Sequence, residues 1–440
     1  MPHSPRRVRR LGHGWACVVL AVVVAGACST SARRRVPAAV VSSGGDLERT
    51  AQSPRDASER TVRILLGARQ PSVRLTADGA WRMYGADGTT VLAVPEPRER
   101  WLLEQDGRQV SARREDASPV PLRESPIVVR PLDPAGTIAF NGRRWRGELL
   151  VSATEDGLIV VNRIRMDDYL RGVVPLEIGT SSAADAAAVE AQAVTARSYA
   201  VTRLGDGRRA YDLTATTQDQ VYGGADVESA VGNRSVDATQ GLVLLYNGAV
   251  VNAPYHANCG GYTAAPQDSW RAAAEPYLQR VSDQIPGTTR YYCDQAPRFR
   301  WTRVIARDEL RDLVGRYVRN LPGGAGGVGA VTNVAVTAVT PGGRVGTLTV
   351  DTDRGRWALR GNEIRSALRA PGGELLYSTY FSVDVASGRH GVETLTLRGG
   401  GNGHGVGMCQ SGAIGRARAG QDFRTILRTY YPGTTVGTIQ

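Results

Sequence analysis

The sequence lacks lysine altogether. All 54 of its basic residues are arginine, set against 42 acidic residues for a net charge of +12. The arginines are dispersed among aspartate and glutamate instead of clustering, which argues against nucleic acid as a partner. The excess of Arg, Ala, Gly and Val is the mark of a GC-rich genome. A basic chain outside the cytoplasm would still be drawn to an anionic polymer or to a membrane surface. Long apolar runs are missing too. The strongly apolar "WACVVLAVVVAGAC" ends at Cys28 and is too short for a comfortable membrane span. Preceded by the basic "SPRRVRR", it reads as a signal peptide, and "AGAC" as an imperfect lipobox with Ala25 at an unusual position. Such a leader would export the chain and could anchor it to the membrane through Cys28. Cysteine is scarce: with Cys17 and Cys28 assigned to the leader, Cys259, Cys293 and Cys409 remain. No internal repeat is present.

What the chain does have is length and turns. Its 440 residues are long for one core, and its 52 glycines and 22 prolines punctuate many short segments. Residues 29–60 are polar and aperiodic, a tether or linker. From Thr61 to about residue 130, "TVRILLG", "SVRLTA", "AWRMYG" and "TTVLAV" alternate like strands of a small N-terminal β-domain. Hairpins follow, with turns at Asn141 and Glu155. The alanine-rich "SSAADAAAVEAQAVTARSYAVTRL" is a helix, with Ser182 and Asp185 spaced as a capping box. Residues 300–385 read as an α/β insertion into a core of 131–440. The expected class is α+β, strand-rich and mixed, with few helices.

Two carboxylates stand out. Glu177 closes "MDDYLRGVVPLEIG", and Glu190 sits on the alanine-rich helix behind it. They could be a catalytic pair, one acid with its scaffold, or ordinary surface charges. Glu190 and Arg197 share a helix face and could support each other across two turns. Further on, "GNGHGVGMCQSGA" places His404 in a glycine loop that opens into a helix. Such a loop permits close approach of a ligand.

Four stretches in order, "MDDYLRGVVPLEIG", "VEAQAVTARSYAV", "YHANCGGYTA" with "QVYGG" upstream, and "GHGVGMCQSGA" followed by "ILRTYYPGT", resemble the SpoIID/LytB family of bacterial cell-wall proteins across residues 165–435. The resemblance implies peptidoglycan glycan strands as partner and, in the SpoIID branch, lytic transglycosylase activity. That activity yields 1,6-anhydro-muramic ends with one carboxyl serving as acid and then base, so a second catalytic carboxylate is unnecessary. Glu177 matches the family's acid, with Glu190 the other candidate. Gln192 and Arg197 would support the site, with Gln192 holding hydroxyl or acetamido groups. His404, Cys409 and Gln410 would lie at the cleft, Gln410 donating to the glycan. Tyr199, Tyr222 and Trp270 could stack on sugar faces. The family often has Ser where Cys409 stands, which argues against a required thiol nucleophile.

No cofactor is required by this reading. In an oxidising compartment Cys259 and Cys293 could form a disulfide. Alternatively, since some family members bind zinc near this stretch, His256, Cys259 and Cys293 could hold a structural zinc, with Cys409 a fourth ligand if it is near. The LytB branch implies a second function: a non-enzymatic glycan-binding modulator of a cell-wall amidase. A third is a zinc-dependent hydrolase built on His256 and the cysteines.

Overall fold

A computed structural model describes residues 60–440 except 117–121, 181, 206, 271, 371 and 440. The signal peptide, the lipobox at Cys28 and the 29–60 linker thus lie outside the described residues, save the linker's last position. The fold is mixed α+β, as the alternation implied. A seven-stranded sheet runs in the order Leu213–Thr214, Thr61–Gln70, Gly157–Arg165, Glu148–Thr154, Ile127–Pro131, Trp81–Tyr84, Val91–Ala93. All neighbours are antiparallel except the first pair. Register follows the hydrophobic pattern: Val62 and Ile64 are fully buried opposite Ile164 and Asn162, with polar partners turned outward between them.

The strands expected to form a separate small β-domain do not stand apart. Thr61–Gln70 pairs along its length with Gly157–Arg165, and one apolar core gathers Val62, Trp81 and Leu103 together with Val194, Met408 and Tyr431. A second core collects Trp301, Leu310, Leu348, Ile364 and Leu395 from two three-stranded sheets and the helices Arg307–Val318 and Glu363–Ala367.

Local turn chemistry is as the sequence implied. Asn141–Gly142 and Asn247–Gly248 all take positive φ, as two-residue hairpin turns between tightly twisted strands require.

Three helices position the site: α1 (Met166–Arg171), α2 (Val174–Ile178) and α3 (Ala186–Val201). The capping box forms only in part. Ser182 Oγ accepts from the Ala184 N–H at 3.3 Å and caps a short 3₁₀ turn. Asp185 does not reciprocate, because Arg418 and Thr180 hold its carboxylate. α3 is buried nearly all round. Its alanines let α2 and the helices Ala230–Ala238, Gln410–Arg418 and Phe423–Tyr430 pack closely about it. No helix among the described residues is long and apolar enough to cross a membrane.

Candidate active site

The strand Gly157–Arg165 runs directly into α1, and α1 turns through Gly172 into α2. Gly172 is required: a Cβ there would sit 2.5 Å from the Tyr222 ring. α2 carries Pro175 in its first turn and stops at Gly179, whose φ of 68° is a left-handed cap. This short helix holds Glu177 against the loop of "QDQVYGG". Its Oε1 accepts the Val221 N–H at 2.6 Å. The Tyr255 hydroxyl donates a second hydrogen bond. That hydroxyl accepts from Gln220 Nε2 at 3.1 Å, and Gln220 Oε1 accepts from the Tyr169 hydroxyl at 3.1 Å. A polarised chain of buried donors therefore ends on the carboxyl. Burial outweighs both hydrogen bonds and pushes the Glu177 pKa up to about 7; no cation is among the groups that shift it.

Glu177 opens onto a cleft of about 990 Å³. Tyr255, His256, Trp270, His404 and Gln410 line it, as do Arg298, Arg365 and Arg369. The His404 loop turns on Gly401, Gly403, Gly405 and Gly407, all at positive φ. A Cβ on Gly407 would lie 1.9 Å from the Pro254 carbonyl oxygen, so the loop can hug the neighbouring strand only as glycine. His404 Nδ1 accepts the Val406 N–H at 3.1 Å, and its ring lies 4.8 Å from the Trp270 ring. Burial, reinforced by Arg365, lowers its pKa to about 3, so the imidazole is neutral. His256 is 4% exposed. Its Nδ1 lies 3.2 Å from the Val406 carbonyl oxygen, and its Nε2 has no partner. Donation to that carbonyl leaves Nε2 as an acceptor.

Of the residues singled out in the sequence, Glu177, Tyr199, His256, Trp270, His404 and Gln410 meet in this cleft. Gln192 stands behind it, fully buried, its Oε1 accepting from Gln410 Nε2 at 3.2 Å; it positions Gln410. Tyr199 offers no open face on one side, because the Arg203 guanidinium lies 3.2 Å from its ring centroid. Four residues fall elsewhere, one of them Cys409, which was expected at the cleft and instead lies buried beside Cys259, Asp283 and Cys293. Arg197 is fully buried and pairs with Asp167 at 2.8 Å while donating to the Leu242 carbonyl, so it neither reaches the cleft nor answers Glu190. Tyr222 is packed between Trp145 and Tyr169, its hydroxyl donating to Asn162 at 2.9 Å. Glu190 is half-buried near Asp422; burial first and that like charge second raise its pKa.

The sequence reading missed Tyr255, Gln220 and Asp219. Tyr255 reaches Glu177 because Tyr255–His256 pairs in parallel with Met408–Cys409, a long-range contact that no local pattern announces. Asp219 shares the cleft, with Oδ2 accepting from both the N–H and the hydroxyl of Thr214 at 2.9 Å.

The same strand pairing builds a second pocket. One ligand atom from each of Cys259, Asp283, Cys293 and Cys409 lies within 4.8 Å of the others, all buried. The Cys259 and Cys293 sulfurs are 3.5 Å apart as thiols. Asp283 Oδ1 is held by Tyr430 at 2.8 Å and by Arg416, and its Oδ2 faces the Cys259 sulfur. Three soft sulfurs, one carboxylate and outer hydrogen bonds that orient it suit zinc. Cys409 is near enough to be the expected fourth member, and one expected ligand is corrected: Asp283 stands with Cys259, Cys293 and Cys409, while His256 is outside the group and faces the cleft.

The family model for stage II sporulation protein matches residues 154–246, the segment that carries α1, α2, α3 and Glu177. The stage II sporulation protein D of Bacillus subtilis is 28% identical over 293 residues, 63% of this chain and 75% of that protein. The chain thus carries a stage II sporulation protein match over residues 154–246 and is similar to stage II sporulation protein D beyond it. An amidase enhancer of Bacillus subtilis is 31% identical over 298 residues, spanning 61% of this chain and 40% of that protein. An uncharacterized protein of Brachyspira hyodysenteriae is 28% identical over 299 residues, 68% of this chain and 73% of the other. A model for a domain of unknown function matches residues 285–407. The SpoIID match thus holds Glu177, while Arg298, Arg365, Arg369 and His404 lie in the stretch of unknown function.

Proposed function

We propose that this chain acts outside the cytoplasm on the cell wall, as a lytic transglycosylase that cleaves peptidoglycan glycan strands between N-acetylmuramic acid and N-acetylglucosamine. The observation that carries this reading is Glu177: one desolvated carboxyl in a large cleft, with its pKa raised to about 7 and no counter-cation. A carboxyl with that pKa is partly protonated at neutral pH and can both give and take a proton. As acid it protonates the glycosidic oxygen while the bond to the muramic C1 breaks. The resulting carboxylate then removes the proton from the muramic 6-hydroxyl as that oxygen bonds to C1. The proton returns to Glu177, the 1,6-anhydro ring closes, and no water is consumed. Val221 N–H and Tyr255 stabilise the carboxylate between the two steps. Gln410, braced by Gln192, and the Nε2 acceptor of His256 offer polar contacts for the sugars.

Cys259, Asp283, Cys293 and Cys409 would hold a structural zinc, which would tie the loop after His256 to the helix that begins at Gln410. The match to an amidase enhancer favours a second reading, in which the chain grips the strand and modulates a wall amidase without turnover.

The test is mass spectrometry of purified glycan strands incubated with wild type and with Glu177→Gln. Anhydro-muramic ends are expected with wild type and not with the variant. Reducing ends would point to water activation and to Asp219 as a second carboxylate. Strand binding without any product would favour the amidase modulator.

A further inference from the structure

The cleft has a second chemical feature, a group of arginines in its lining. Arg365 is 8% exposed and lines the cleft, yet its described hydrogen bonds go only to neutral oxygens, the Leu376 carbonyl at 2.7 Å and the Asn362 side chain at 3.0 Å. Other buried arginines of this chain have carboxylates: Arg197 has Asp167, Arg416 has Asp283 and Arg303 has Glu309. Arg344, 2% exposed, lies behind the His404 loop with Nη1 unpartnered, and Asp268 is the opposite charge that acts on it. A buried guanidinium with no counter-charge is costly unless something outside the chain supplies one. Arg298, stacked on Tyr377, and Arg369, bonded to the Gly373 carbonyl, also face the cleft without a described carboxylate partner. Against these, the same lining contributes Glu374, while Arg203 is answered by Asp219 at 3.9 Å.

We infer that Arg365, with Arg298 and Arg369, forms an anion subsite that binds a carboxylate carried by the glycan strand. The inference rests on the glycan-cleaving reading above and names what that cleft selects. A guanidinium fork matches a carboxylate in two hydrogen bonds. Muramic sugars carry that group by constitution, as a lactyl ether whose carboxyl is free when no peptide is attached; a stem peptide carries its own at its end. None of these arginines is among the groups that shift Glu177, so the subsite is separate from the acid and leaves it able to hold its proton. The specificity contact thus comes from the stretch of unknown function, 285–407.

The experiment measures binding of strands to the full chain carrying Glu177→Gln, which silences turnover. Peptide-free and peptide-bearing strands are each compared with samples whose carboxyls have been converted to amides. Loss of a charge-assisted pair is expected to weaken binding of the amidated strands about tenfold. Sensitivity confined to peptide-free strands identifies the lactyl carboxylate as the ligand; sensitivity confined to peptide-bearing strands identifies the peptide's. Adding Arg365→Gln should remove the difference, and the pair Arg298→Gln with Arg369→Gln, on more exposed positions, should reduce it without changing Tm. Free and amidated strands binding equally well would overturn the subsite and leave the glycan reading standing, as would stable arginine variants that keep the full difference. Strands that fail to bind in any form would overturn both.

Discussion

Two carboxylates of one stretch, "MDDYLRGVVPLEIG", are withdrawn from water and meet opposite surroundings. Asp167, at the start of α1, is buried against Arg197 at 2.8 Å. Glu177, on α2, is covered by a backbone N–H and a tyrosine hydroxyl and by no cation. The first is an ion pair that fixes how α1 sits on α3. The second is a carboxyl whose pKa desolvation raises to about 7, as the proposed general acid requires. Burial alone therefore does not raise a carboxyl's pKa; burial without a counter-charge does. Asp283 is an intermediate case: desolvation raises its pKa although Arg416 and Tyr430 work to lower it.

The sharpest way to break the contrast is to strip the cation from the first region. Arg197→Ala leaves Asp167 buried without Arg197, and should cost about 3–5 kcal/mol of stability, read by urea or thermal unfolding. The double variant Arg197→Ala with Asp167→Ala should cost less than the two single losses added together. A near-neutral Arg197→Ala would mean that the pair does not organise α1 and α3.

Removing the acid tests the second region. Glu177→Gln should lower the rate of anhydro-end formation by about 10²- to 10⁴-fold. It should also change stability with a definite sign. The folded pKa lies near 7 and the unfolded one near the ordinary value of 4.5, so between those values the folded chain binds the extra proton. Wild-type stability therefore falls as pH rises from about 4.5 through 7 and levels above it. The neutral variant escapes that loss. It should be more stable than wild type at pH 8, by on the order of 2 kcal/mol, and equal at pH 4. The same titration sets the activity limb, which should fall above about pH 7.

Tyr255→Phe has a smaller effect. It removes a hydroxyl that lowers the Glu177 pKa, so the alkaline limb should move upward while the protein stays folded. In the cysteine pocket, a chelator should lower Tm and metal analysis should find zinc. A Tm that responds to reductant and not to chelator would favour a Cys259–Cys293 disulfide instead. Smallest of all is Glu190→Gln: half-buried and outside the cleft, it should leave product formation unchanged and stability within about 0.5 kcal/mol.

Much of this was legible in the residues. Alternation in "TVRILLG" and the asparagine-glycine turns announced strands and hairpins, because pleat and turn chemistry are local. Glu177 was singled out as the acid only through its match to the family's acid, whereas the glycine loop around His404 was legible from conformations only glycine tolerates. Partnership was not. Arg197 looked like a companion of Glu190 on the helix face, yet its partner is Asp167, 30 residues earlier. Tyr222 looked available for stacking and is a core ring. Tyr255 and Asp283 came into play only through the parallel pairing of Tyr255–His256 with Met408–Cys409 and the cluster it brings together. That pairing joins positions more than a hundred residues apart, and no spacing rule reports it.

The most direct measurement is the titration of the Glu177 carboxyl itself, followed by ¹³C NMR on glutamate-labelled protein and assigned by the signal that Glu177→Gln removes. A midpoint near 7 is the predicted result. A midpoint near 4.5 would mean a solvated, ordinary carboxylate, and would contradict its role as the general acid.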